Sequence, residues 1–153
     1  MATARDILET YWNQKFPIDP VILAEQWGAK VIPDADLEGD ISGQFFYEDK
    51  VPVIRYNPEK HRLRQRFTIA HELGHYALGH PGGYRDDIKN LFGNSSDIYE
   101  QQANHFAAEL LMPEEYVHLL IRHMDPPTVT GLAKEFDVSE KAMHFRLKNL
   151  GIV

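Results

Sequence analysis

Apolar residues along the chain follow two different periods, and the change of period divides it into elements. Residues 3–14 repeat at helical spacing, and a second helix opens at Asp19-Pro20, an N-cap followed by proline in the first turn, and stops at Gly28. The pattern then turns β-rich: Val31-Ile32 reads as a short strand, and the runs 41–47 and 51–56 read as a hairpin joined by Glu48-Asp49-Lys50. Helical spacing returns from Glu59 through Arg66-Phe67-Thr68-Ile69-Ala70-His71-Glu72-Leu73-Gly74-His75-Tyr76, until Gly79-His80-Pro81 breaks it. Residues 81–96 are rich in Gly, Asn, Asp and Ser without periodicity and read as a long loop. A helix over about residues 97–112 ends at Pro113, and another begins at Glu114-Glu115, acidic residues suited to a helix N-terminus. Past Asp125-Pro126-Pro127, two short helices, 130–136 and 140–150, flank Asp137-Val138-Ser139.

Composition narrows the chemistry. The 153 residues make one domain with a real core, and 43% hydrophobic against 25% charged residues is ordinary for a folded globular chain. A formal net charge of −7 provides no protein-wide field for nucleic acid. The absence of cysteine excludes disulfides, thiol catalysis and thiolate metal sites, leaving His, Asp and Glu as the available ligands. Asp6 and Glu9 interrupt the amino-terminal stretch before an export signal can form, and no apolar run approaches the roughly 20 residues that cross a bilayer. A cytoplasmic protein without membrane contact is the expectation.

The informative string is His71-Glu72-Leu73-Gly74-His75. On a helix it sets two imidazoles about one turn apart on one face, with the glutamate at that face's flank. Leu63, Phe67, Ala70, Gly74 and Ala77 fall on one side of this helix, and Ile69, Leu73 and Tyr76 on another. The helix is therefore largely buried, and its polar residues require partners, because a buried polar group without one costs about 1–3 kcal/mol. Two core histidines with ordinary hydrogen bonds would meet that need; a divalent metal meets it more fully.

A catalytic zinc ion takes three protein ligands and keeps one position for water, so a third ligand is required. Glu100 is the choice, with Asn104 one turn on and able to orient a ligand from the same face. Glu109 lies nine residues from Glu100, about 180° around the same helix, and cannot share its metal. His80 is a second competitor, but the metzincin signature needs a glycine three and a histidine six residues after the second ligand, whereas Gly79 and His80 come at four and five. His80 is read as a group at the site's edge or a histidine ending the helix.

Arg66 to Tyr76, followed by Glu100-x-x-Ala103-Asn104-x-Phe106-Ala107-Ala108-Glu109-Leu110-Leu111-Met112-Pro113, closely resembles the ImmA/IrrE family of regulatory metallopeptidases. The pattern Asp19 to Val31 and the hairpin 41–56 extend the resemblance over most of the chain. It implies an α+β fold, a minimal zincin: mainly helical, with a small three-stranded sheet containing the hairpin. It implies Zn2+, one per chain, on His71, His75 and Glu100, with Glu72 as the catalytic glutamate. It also implies a bacterial or phage source, and a helix-turn-helix repressor, often encoded nearby, as substrate. On this reading Glu72 takes a proton from the metal-bound water as it attacks a peptide carbonyl, and Tyr47, His80, Arg85 and Tyr99 are the candidates to steady the oxyanion or edge the site.

Residues 1–127 are expected to form the metallopeptidase domain and 128–153 a helical pair packed on it. The pair resembles a helix-turn-helix with Ser139 as N-cap, but it carries only one more cation than anion, and Leu132, Phe136, Met143, Leu147 and Leu150 fit a packing role. Direct nucleic-acid binding is not expected. The run Lys60, Arg62, Arg64, Arg66 is either a solvated face or a docking surface for the substrate. Three functions compete: a site-specific zinc endopeptidase, a zinc-bearing regulator that sequesters a repressor without cutting it, and a DNA-binding regulator using the tail.

Overall fold

The computed structural model describes residues 1–37, 41–82, 84–87 and 97–153. Helix α1 (Ala4–Tyr11) starts in a capping box, in which the Thr3 hydroxyl accepts from the Asp6 amide and the Asp6 carboxylate accepts from the Thr3 amide. In α2 (Pro20–Gln26), Asp19 caps the Val21 and Ile22 amides, and Gly28 turns the chain at φ +98°.

Strand β1 (Lys30–Pro33) leads to the hairpin β2 (Ile41–Glu48) and β3 (Val51–Tyr56), which turns at Asp49 and Lys50, both with positive φ, as a two-residue hairpin matched to strand twist requires. β1 pairs in parallel with β3, and a further strand, β4 (Tyr84–Asp87), pairs antiparallel with β2, giving the order β1-β3-β2-β4 among the described residues. The three expected strands are thus joined by a fourth inside the stretch read as a loop. Its sequence, Tyr-Arg-Asp-Asp, has no alternation, so backbone pairing to β2 is what makes it a strand. Residues 83 and 88–96 of that stretch lie outside the described residues.

Helix α3 (Arg62–Ala77) crosses the sheet, over the buried Phe45 and Ile54. It begins at Arg62 rather than Glu59 because Asn57 Oδ1 accepts from the Glu59 amide, closing a turn after which the His61 ring caps the Leu63 amide. Its most extensive partner is α4 (Ile98–Leu111), capped by Asp97, and the helices approach closely at Gly74, where an added Cβ would lie 3.0 Å from the Phe106 ring.

Helices α5 (Glu114–His123), α6 (Val129–Phe136) and α7 (Glu140–Asn149) complete the chain. Leu132, Phe136, Met143 and Leu147 are buried in the same apolar cluster as α1 to α4, with Leu150 partly buried against it. Two polar ties reinforce this. The buried Arg146 donates from Nε to the Met112 carbonyl at 2.9 Å, and Arg62 and Arg66 grip Asp137 in the α6–α7 turn. Two of the four residues of the basic run, the exposed Arg62 and the part-buried Arg66, are therefore engaged in contacts within the molecule. No described helix is long and apolar enough to cross a membrane.

Candidate metal centre

The second half of α3 is buried almost without interruption from Phe67 to His75, so its polar side chains meet protein rather than solvent. His71, Glu72 and His75 are all fully buried, and one ligand atom from each lies within 4.8 Å of the others. Glu100, 2% exposed, reaches across from α4, with Oε2 3.4 Å from His71 Nε2 and Oε1 2.8 Å from His75 Nε2. Glu72 and Glu100 thus both stand within reach of the two rings. Glu109 is exposed on the opposite side of α4.

Hydrogen bonds fix what these groups present to one another. His71 Nδ1 lies 2.9 Å from Asn104 Oδ1, an acceptor, so Nδ1 carries the proton and the Nε2 lone pair points toward Glu100. Neither Glu100 oxygen sits in hydrogen-bonding geometry with a donor among the described residues, although both lie at contact distance from imidazole nitrogens. A neutral ring's lone pair facing a buried carboxylate is repulsive, and either a proton on Nε2 or a metal ion between the two relieves it. Ligand atoms on one tetrahedral ion with bonds of about 2.1 Å sit about 3.4 Å apart, the separation of His71 Nε2 from Glu100 Oε2, whereas His75 Nε2 and Glu100 Oε1 lie closer together, at 2.8 Å. The donor set fits a divalent metal.

Gly43 on β2 is a contributor that sequence reasoning missed. A Cβ there would come within 2.4 Å of Thr68 Cγ2 and 3.1 Å of Glu72 Oε2, so the sheet passes the glutamate with bare backbone. The signal available was a glycine inside an otherwise β-rich run.

The other predicted residues separate. His80, 4% exposed, places Nδ1 2.9 Å from His75 Nδ1 and Nε2 2.7 Å from Gln102 Oε1. Burial holds its pKa below the ordinary histidine value, against the opposing pull of the Gln102 hydrogen bond. The Tyr99 ring lies tilted against the His80 ring, with centroids 4.5 Å apart. Tyr47 is half exposed and packs against Phe45 and Tyr76. Arg85 lies on β4 opposite Gln44, and its side chain is outside the described residues.

A buried HExxH helix laid over a small sheet, with a carboxylate delivered by the neighbouring helix, defines a metallopeptidase-like class of protein. Comparison with known proteins narrows the class. The profile of the IrrE N-terminal-like peptidase domain matches residues 24–148, and the chain belongs to that family, the ImmA/IrrE regulatory metallopeptidases. It is 31% identical over 124 residues to the radiation response metalloprotease IrrE of Deinococcus radiodurans, covering 76% of this chain and 37% of that one. It is 30% identical over 87 residues to the metallopeptidase ImmA of Bacillus subtilis, covering 57% and 51%. A third relative, "Uncharacterized immunity region protein 2" of Bacillus phage phi105, is 35% identical over 96 residues, covering 63% and 60%. The chain thus corresponds to between about a third and three fifths of these relatives' lengths. A solved Mycobacterium tuberculosis transcriptional regulator superposes with a TM-score of 0.70 over 95% of this chain and 44% of that one; at 18% identity, the likeness is one of fold.

Proposed function

We propose that this protein is a zinc-dependent, site-specific endopeptidase that cleaves a helix-turn-helix transcriptional repressor in the cytoplasm. The observation that carries the reading is the convergence of His71, His75 and Glu100 on one buried point with Glu72 beside it. Two imidazoles and one carboxylate are a donor set of catalytic zinc in peptidases, and the names of the IrrE and ImmA relatives support proteolysis. The phage immunity-region relative supports a regulatory target.

His71, His75 and Glu100 would hold the ion, and Asn104 would orient His71. When bound, the metal supplies a water of lowered pKa and positive charge for the carbonyl oxygen under attack. Glu72 accepts a proton from the attacking water, holds it on a carboxylate oxygen, and delivers it to the departing amine as the peptide bond breaks. The Gly43 backbone leaves Glu72 the room to do so.

A second reading, in which the same metal-bearing fold binds and alters a repressor without cutting it, draws on the complete burial of His71, Glu72 and His75. One experiment separates the two. The chain is incubated with the repressor encoded beside it, with and without a chelator, and fragments are followed over time. Proteolysis gives fragments that the chelator abolishes, and that Glu72→Gln abolishes while retaining one zinc per chain. Stable association without fragments from the zinc-loaded protein rejects the endopeptidase.

A further inference from the structure

The two histidines of the HExxH motif are held from behind in different ways. Asn104 fixes His71 directly; His75 has instead another histidine against its Nδ1. We infer that His80 is a positioning residue for metal binding: backed by Gln102, it locks His75 in the tautomer that presents Nε2 to the ion. The inference rests on the metal reading above and adds to it a role that HExxH does not contain.

Hydrogen-bond bookkeeping carries the argument. Gln102 Oε1 can only accept, so His80 Nε2, at 2.7 Å, is the donor. A neutral imidazole protonated on Nε2 has a bare Nδ1, which therefore accepts, and the proton in the 2.9 Å contact belongs to His75 Nδ1. His75 Nε2 is then the lone-pair nitrogen, facing Glu100 Oε1. With the opposite polarity, a proton on His75 Nε2 would block the ligand position. Metal-bound histidines are commonly oriented by an acceptor at their other ring nitrogen, and losing such a partner costs about 10- to 100-fold in metal affinity.

The end of α3 explains how His80 reaches that place. Gly79 adopts φ +75°, its amide bonds to the Tyr76 carbonyl at 3.1 Å, and the His80 amide bonds to the His75 carbonyl at 2.9 Å. These two bonds form a Schellman cap, which folds the chain back over the last turn and sets the His80 ring over the His75 ring, with centroids 5.2 Å apart. Leu78-Gly79-His80 thus ends the helix and braces its second histidine together. The Tyr99 ring packs against His80 at a tilt, with centroids 4.5 Å apart.

The test measures zinc affinity by competition with a chromophoric chelator, alongside the tautomer of His75 by long-range proton–nitrogen NMR of the metal-free wild-type protein. His80→Leu is expected to weaken zinc binding about 10- to 100-fold. His80→Asn, whose Oδ1 takes the place of the ring Nδ1 one bond beyond Cγ, restores affinity to within about threefold of wild type. Gln102→Leu weakens binding in the wild-type background and has no effect on top of His80→Asn, because the asparagine no longer reaches residue 102. The NMR spectrum is expected to show His75 protonated on Nδ1. Zinc affinity of His80→Leu within twofold of wild type, or a His75 protonated on Nε2, overturns the inference. A wild-type protein that binds no zinc instead refutes the metal reading, and the tautomer still decides the role of His80.

Discussion

Gly43 shows how little a single residue's chemistry reveals until its neighbour across the fold is known. It has no side chain to donate or accept, yet its absent Cβ is the space in which Thr68 and Glu72 sit. Gly43→Ala forces the backbone of β2 away from α3 or displaces the Glu72 carboxylate. In the proposed mechanism a displacement of about 1 Å at Glu72 costs on the order of 100-fold in rate, whereas His71, His75 and Glu100 are untouched. The expected outcome is cleavage slowed by about two orders of magnitude at full zinc occupancy; unchanged kinetics would remove Gly43 from the site's design. His71, Glu72 and His75 are legible in the sequence because a fixed spacing on one helix is a local property. Glu100 is legible once its helix is recognised, because Glu109 falls on the other face. Gly43 and His80 depend on what lies opposite, and no local period encodes that.

At the scale of elements, the two long helices were the most legible because their burial imposes period 3.6 over several turns. The start of α3 was not: an Asn57 side-chain turn delayed it by three residues, and helical periodicity does not register such competition from a side chain. β4 was invisible because pairing, rather than composition, creates it. The α3–α4 contact that brings Glu100 to the histidines depends on Gly74, where a methyl group would stand 3.0–3.1 Å from three atoms of Phe106. Gly74→Ala should cost about 1–3 kcal/mol by overpacking and should also weaken zinc binding, since separating the helices separates the ligands. Denaturant titration together with chelator competition reads both effects.

The α6–α7 turn gives an element-scale pH dependence. The Arg62 guanidinium, hydrogen-bonded to Asp137, holds that carboxyl below its ordinary value, with Arg66 adding to the effect. A carboxylate with a depressed folded-state pKa contributes stability that is present above the unfolded value, about 3.9, and is lost as pH falls through the folded one. Asp137 sits at φ +56°, which asparagine tolerates, so Asp137→Asn removes the charge and spares the turn. The variant should melt about 3 °C below wild type at pH 7, with the gap closing below about pH 4. A gap independent of pH would assign the effect to the turn rather than to the ion pair.

For the whole molecule, the question is whether residues 128–153 are a separate helix-turn-helix or the last layer of one core. Ala142, Met143, Arg146 and Leu147 face inward on α7, and Phe136 and Met143 are fully buried. Arg146 reaches the carbonyl of Met112, the residue that ends α4, so the tail is bonded to the helix that carries Glu100. What α7 leaves exposed is Glu140, Lys141, His144, Lys148 and Asn149, two lysines beside a carboxylate and too few cations to hold a duplex on a chain of net charge −7. Ending the chain after Pro127 would strip the cover from the apolar side of α4 and leave the Met112 carbonyl without its donor. The shortened protein is expected to lose its cooperative thermal transition and its zinc affinity together, as judged by calorimetry and chelator competition. The full chain should show one transition, raised by about 2.7 kcal/mol of added stability at free zinc 100-fold above Kd. If residues 1–127 instead keep a sharp transition and full zinc affinity, the tail is an independent module, and its exposed lysines become a surface to be tested against DNA.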